Sequence, residues 1–236
     1  MKRMIGSFAV CLVLFLAVLP VQAISTREPV TACFTKTPVV LLTFDDGPHR
    51  WHTPLLLEIL EKYKVPATFF VVGLRCVENP ELLRRIHEKG HTIANHSWSH
   101  PRLQNLDEKT VEEQVRFCNQ AVEAITGVRP RFFRPPGGHW NQTVLRITDE
   151  KGMYLVLWTL NGCDVSADTP DKIARSVLAN TTPGTIILLH DGFDRTLEAL
   201  PAIIEGLRAR GFFFANFDQA FPVRTEPVPL TASNPQ

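Results

Sequence analysis

The chain has little of what commits a protein to several common functional classes. Its 236 residues hold 25 basic and 24 acidic side chains, so it has no surplus of positive charge for nucleic acid or an anionic membrane surface. No two cysteines form a CxxC pair, which argues against a zinc–thiolate site. No internal repeat is evident. One apolar run approaches membrane length, from Phe8 to Leu19, and it falls short of the ~20 residues needed to cross a bilayer.

That run lies between the basic Lys2 and Arg3 and a VQA triplet ending at Ala23, the layout of a cleaved secretory signal peptide. Cys11 lacks the context of a lipoprotein anchor. The expected product is secreted or periplasmic, with no stable membrane anchor and no nucleic-acid partner. Losing Lys2 and Arg3 leaves 23 basic against 24 acidic residues. Oligomeric state is not written in the composition. The expected layout is a signal peptide at 1–23, an N-terminal extension at 24–37, one domain at 38–221 and a flexible proline-rich tail at 222–236.

Four cysteines follow the leader: Cys33, Cys76, Cys118 and Cys163. An even count in an exported protein suggests disulfides, with three possible connectivities. Cys118 falls on one helical face with Val111, Val115, Val122 and Ile125, so a buried free thiol is the competing reading.

From Pro38 onward, short apolar runs alternate with longer stretches of helical period. Strands are expected at Val39–Phe44, Ala67–Val72, His91–Asn95, Arg131–Arg134, Tyr154–Trp158, Thr185–Leu189 and Phe212–Phe214. Helices are expected at Thr53–Tyr63, Pro80–Lys89, Asp107–Thr126, Asn141–Lys151, Thr169–Asn180 and Arg195–Arg210, with Thr53 and Asn79 placed as caps ahead of prolines. Such alternation implies parallel strands joined by helical crossovers. The fold class is therefore α/β: a seven-stranded barrel in a single domain, with an open doubly wound sheet as the alternative.

Polar residues with chemical potential fall at or just after strand ends. Asp45 and Asp46 follow the first strand, His96 and His100 the third, Arg134 closes the fourth, Asp164 follows the fifth and His190 the sixth. In an α/β barrel these ends converge on one face. In TFDDGP (43–48), neighbouring carboxylates point to different sides, so one can bind a cation while the other stays free; a solvated turn is the plain alternative. HSWSH (96–100) spaces two imidazoles at i and i+4, one face of a helical turn, and imidazole suits zinc and its neighbours. It lacks the internal Glu of HExxH.

With RFFRPPGG, the segment around Asp164, and LLHD, these motifs make five pieces in order, and from about Val39 to Phe217 the chain resembles the polysaccharide deacetylases with the NodB-like domain, the family 4 carbohydrate esterases. The resemblance implies a distorted seven-stranded (β/α) barrel with a divalent metal held by Asp46, His96 and His100: zinc first, with Co2+ or Ni2+ as alternatives. It implies Asp45 as the general base for the attacking water, Arg134 as its partner, His190 as the general acid and Asp164 as the aspartate paired with it. The N–H of Gly137 would complete an oxyanion hole, where many relatives carry Tyr. Val165 stands where Trp is common and Asn161 where Asp is frequent, so one wall of the substrate groove differs. Trp140, just after the glycine loop, is either a sugar-stacking side chain or a packing residue. His49, His52, His87 and His91 read as peripheral.

Amide hydrolysis needs an activated nucleophile, stabilisation of the oxyanion and a proton for the departing amine, and a metal addresses the first two. The implied activity is metal-dependent removal of N-acetyl groups from an N-acetylhexosamine polysaccharide: peptidoglycan, a chitin-type chain or poly-N-acetylglucosamine. O-acetyl xylan esterase, small-molecule amidase or deformylase, and a non-catalytic glycan-binding domain are the alternatives.

Overall fold

The structure, a computed structural model, describes residues 28–221 apart from residue 34. The segment read as a signal peptide, at 1–23, and the proline-rich tail, at 222–236, lie outside the described residues. The first strand, β1 (Val39–Asp45), is buried along nearly its whole length, the mark of a strand covered on both faces. It is flanked by β2 (Thr68–Val71) and β7 (Ile186–His190), and every pairing in the sheet is parallel. The staves run β5-β4-β3-β2-β1-β7-β6, with β3 at Thr92–Asn95, β4 at Phe132–Phe133, β5 at Tyr154–Leu155 and β6 at Leu160–Asn161. The curled sheet is the distorted (β/α) barrel expected from the sequence.

Helices α1 (His52–Tyr63), α2 (Gly73–Glu78), α3 (Pro80–Glu88), α4 (Glu108–Thr126), α5 (Gln142–Glu150), α6 (Pro170–Asn180) and α7 (Asp194–Ala209) alternate with the strands. The main core fills the space between the sheet and these helices, around Leu42, Phe44, Leu57, Phe69, Ile187 and Ile203. Burial of such side chains contributes roughly 1.5–3 kcal/mol each. Asp107 caps α4 by accepting from Thr110 N at 3.0 Å, and Gly127 ends it at φ 74, as the local sequence leads one to expect.

Several details depart from expectation. β4, β5 and β6 have only two residues each, too short to carry a period of two, and β6 has no counterpart among the expected strands. Phe212–Phe214 was expected as a stave; β8 (Phe213–Ala215) instead pairs only with Val39–Leu41 at the lower end of β1, off the main order. A last short helix, α8 (Phe217–Ala220), follows it. Thr53 is not the cap of α1: the cap position falls on Trp51, without a side-chain hydrogen bond.

Among the described residues β5 and β6 do not pair, and the segment before β1 fills this seam. Val30 N donates to Leu155 O and Leu157 N to Val30 O, both at 2.8 Å, while Cys33 N donates to Gly184 O at 2.9 Å. Thr159 Oγ1 donates to Thr31 O at 2.6 Å. Val30 and Cys33 belong to a second buried cluster with Leu41, Phe132 and Phe217.

No disulfide is formed among the described residues. Cys33, Cys76 and Cys118 are buried free thiols and Cys163 is exposed. Cys118 thus follows the packing alternative, and burial pushes its thiol up to about 12.

Candidate active site

β1 carries its last residue, Asp45, into register with His190 at the end of β7. Asp46 then leaves the strand with φ 72, a left-handed value that costs a non-glycine residue free energy and persists only where neighbours hold it. That turn separates the two carboxylates. Asp45 stays against the sheet, where its Oδ1 accepts from Arg134 Nη1 at 2.6 Å. Asp46 reaches His100 and His96 instead, with Oδ1 at 3.1 and 3.5 Å from their Nε2 atoms.

The two histidines meet by a route other than the expected helical turn. Residues 96–100 form a loop after β3 in which Ser97 (φ 68) and His100 (φ 62) are left-handed. Side chains hold that path. Asn95 Oδ1 accepts from Ser97 N at 2.7 Å, and Gln114 Oε1 on α4 accepts from Trp98 N and Ser99 N at 3.1 and 2.9 Å. Asn95 is itself fixed to α4 through Val115 O and Asn119 Oδ1, both at 2.8 Å. The i,i+4 spacing is therefore reproduced by a buttressed loop.

Asp46, His96 and His100 each offer one ligand atom, all within 4.8 Å of one another. Their chemistry fits a cation. Arg134 O, an acceptor only, lies 2.7 Å from His96 Nδ1, so the proton sits there and Nε2 presents a lone pair, the arrangement of a metal-ligating imidazole. Burial keeps that ring neutral by lowering its pKa. Asp46 Oδ1 is buried with no hydrogen-bond partner and lies within 4.8 Å of a ligand nitrogen on each imidazole, a donor set that a cation would satisfy. Burial opposes ionisation of Asp46, but His100 and His96, with His190, outweigh it and hold the carboxyl well below the usual range.

Arg134 follows β4 and is wholly buried. Besides Asp45, its Nη1 donates to Thr43 Oγ1 at 2.9 Å, its Nη2 donates to Leu157 O at 2.8 Å, and its guanidinium lies 3.9 Å from the centre of the Phe70 ring. Burial lowers its pKa against the opposing pull of Asp45. At the other pair, Asp164 is fully buried and follows β6, one stave later than expected. Its Oδ1 lies 2.9 Å from His190 Nδ1, and its Oδ2 accepts from His190 N at 2.6 Å and Thr196 Oγ1 at 2.7 Å. Burial pulls the His190 pKa down, and Asp164 more than reverses that, leaving it raised. With Nδ1 engaged, Nε2 is the nitrogen free for proton transfer.

Gly137 sits at φ 65 in the turn Pro136–Gly138, and its N–H makes no hydrogen bond among the described residues. Trp140 is half-buried against Leu103, Val144 and Leu155, so packing accounts for it. The tryptophan that stands in solvent is Trp51, 66 % exposed on the loop between β1 and α1. Val165 is exposed as well. His49 and His52 bracket that same loop, with Nδ1 atoms 2.8 Å apart and His52 Nε2 3.0 Å from Asp194 Oδ1. His91 is buried, with Nδ1 accepting from Ala67 N at 3.2 Å, at the far end of the sheet from this site.

The polysaccharide deacetylase family pattern matches residues 34–156. A chitooligosaccharide deacetylase of Bradyrhizobium sp. (strain ANU 289) is 39% identical over 73% of this chain and 86% of its own length. Among solved structures, the Bc1960 peptidoglycan N-acetylglucosamine deacetylase, in complex with 4-naphthalen-1-yl-N-oxidanyl-benzamide, superposes with a TM-score of 0.80 at 31% identity, covering 84% of this chain and 94% of that one. BA3943 of Bacillus anthracis, a CE4 family pseudoenzyme, does so with a TM-score of 0.79 at 30% identity, covering 82% and 69%. Fold, motif order and these similarities agree: the chain belongs to the polysaccharide deacetylase family.

Proposed function

We propose that the protein is an exported, metal-dependent deacetylase that removes N-acetyl groups from an N-acetylhexosamine polysaccharide and releases acetate. The observation that carries this reading is the convergence of Asp46 Oδ1, His96 Nε2 and His100 Nε2 in one site with two buried acid–base pairs, Asp45–Arg134 and His190–Asp164. Zinc suits this donor set, with cobalt or nickel as alternatives. When bound, such a cation supplies Lewis acidity toward an acyl oxygen and toward water.

The chain's own residues account for the remaining requirements. Asp45 Oδ2 is the oxygen not bonded to Arg134, and it takes the proton of the attacking water. Arg134 fixes that carboxylate from below. The N–H of Gly137 is free to donate to the acyl oxygen as its charge develops. His190, with its pKa raised, gives a proton to the nitrogen as the C–N bond breaks, yielding acetate and a free amine. An ester leaving group needs less protonation than an amine, so the His190–Asp164 pair favours an amide over an acetylated xylan. A glycan-binding role without catalysis fits less well, because base, ligands and acid are all in place.

Relatives named for chitooligosaccharide and peptidoglycan deacetylation support chitin-type chains and peptidoglycan as the first substrates to test, with poly-N-acetylglucosamine beside them. The catalytic domain is taken as 38–221, and export follows from the leader read at 1–23. Acetate release is to be measured on these polymers and on acetylxylan, after chelation and after restoring zinc, cobalt or nickel. Release from N-acetylated chains that stops on chelation and returns with metal is expected, and Asp45→Asn is expected to abolish it while metal still binds. Acetate from acetylxylan alone overturns the N-acetyl reading; turnover indifferent to chelation overturns the metal.

A further inference from the structure

Asp191, next to the general acid, takes no part in the chemistry above, yet it is 2 % exposed and bonded to the opposite side of the site. Its N–H donates to Asp45 O at 2.8 Å, one step beyond the β1–β7 register. Its Oδ2 accepts from Thr53 Oγ1 in α1 and lies 3.4 Å from His49 N. Thr53 Oγ1 in turn accepts from His49 N at 2.6 Å. Asp191 Oδ2 also lies where a side chain on Gly47 would begin, 2.6 Å from that ideal Cβ position. Thr53 therefore closes a clamp on the turn rather than capping its helix.

The clamp grips the turn that carries a metal ligand. Asp46 holds an unfavourable φ of 72, and such a conformation survives only where its surroundings over-determine it. From one side Arg75 donates to Asp46 O and Val72 N to Gly47 O at 2.9 Å. From the other, Asp191 Oδ2 packs against Gly47 and, with Thr53, accepts from His49 N. We propose that Asp191 is a positioning residue for the metal-ligand turn: its buried carboxylate ties Gly47–His49 to α1 and so keeps Asp46 in the left-handed conformation that meets His96 and His100. The inference rests on the reading of Asp46 as a metal ligand. It adds a second connection between the halves of the site, since one short segment holds both His190 and the Asp46 turn.

The test is titration of the apo-protein with zinc or cobalt, by calorimetry or chelator competition, alongside thermal unfolding. Loss of an outer-shell partner typically weakens metal affinity by about 10- to 100-fold, and that loss is expected for Asp191→Ala. Thr53→Val should weaken binding in the same direction, and the double variant should be no weaker than the worse single, because both break one clamp. Asp191→Asn keeps an oxygen for Thr53 and His49 but buries an amide where Oδ1 has no partner; it should hold metal within about threefold of the parent while its Tm falls. A purely structural role predicts the reverse split, with Tm lowered in Asp191→Ala and affinity per folded molecule unchanged, and that result overturns the proposal. Additive losses in the double variant overturn it too. If the parent protein binds neither metal, the reading of Asp46 fails first and the positioning role falls with it.

Discussion

His190 sits where burial and a carboxylate pull its proton affinity in opposite directions, and the carboxylate wins. The sign of the consequence is fixed. A raised pKa keeps the imidazole protonated to higher pH, so the acid role proposed for it would be complete at low pH and lost as pH rises through that pKa. Asp164→Asn removes the largest raising influence, leaving the burial and the weaker pull of Asp45 and Asp46. The alkaline limb of the kcat/KM profile is expected to move to lower pH, and kcat at neutral pH to fall within the 10²–10⁴-fold range of general-acid catalysis. A limb that stays in place would falsify the assignment of this pair. At this scale the sequence was legible where chemistry is unusual: adjacent aspartates, paired histidines and an arginine before two prolines. It was silent about Asn95, Gln114 and Asp191, and it read Thr53 as a helix cap. Each is an ordinary polar residue for its position, and only the packed structure reveals which backbone groups it holds.

The loops were harder to read than the strands that lead into them. HSWSH has the spacing of a helical turn, but Ser97 and His100 are left-handed, and no residue type in that stretch signals it. β6 has two residues, so no alternation could announce it, and Asp164 was assigned to the wrong stave in consequence. The glycine loop after β4 is the contrasting case, because Pro-Pro-Gly-Gly declares a turn outright. Within it Gly138 has φ 73, and a side chain there would begin 2.5 Å from the Trp158 ring. Gly138→Ala should therefore cost about 1–3 kcal/mol and reduce kcat by displacing the neighbouring Gly137 N–H. Gly152 is a fair control: its φ is 69 and nothing lies within 4 Å. Thermal unfolding and kcat of the two alanine variants, side by side, check this; equal effects would refute the steric argument.

For the molecule as a whole, the parallel order followed from alternating apolar runs and helical periods and the choice of a barrel over an open sheet from the family resemblance, whereas the seam between β5 and β6 followed from neither. Closure there depends on residues 28–33, which have neither strand nor helix pattern. Removing everything before Pro38 strips Val30 and Cys33 from the core and deletes the hydrogen bonds to Leu155, Leu157, Gly184 and Thr159. Set against the entropy of ordering the segment, the net loss is about 3 kcal/mol, or roughly 6–12 °C in Tm for a domain of this size. The bared edge of β5 should also promote self-association, visible by size-exclusion chromatography. A truncated protein as stable and monodisperse as the parent would show that the seam needs no cover.

That seam also bears on what can occupy the mouth above it. A wall completed by paired staves all the way round encloses a cup, suited to a small molecule that enters and leaves by one opening. Here the circumference is finished by a single thread of chain, and Asp164 and Val165 hang from its margin. A side left open in that way would let the polysaccharide proposed as substrate lie across the mouth with both of its ends free while one unit is worked upon.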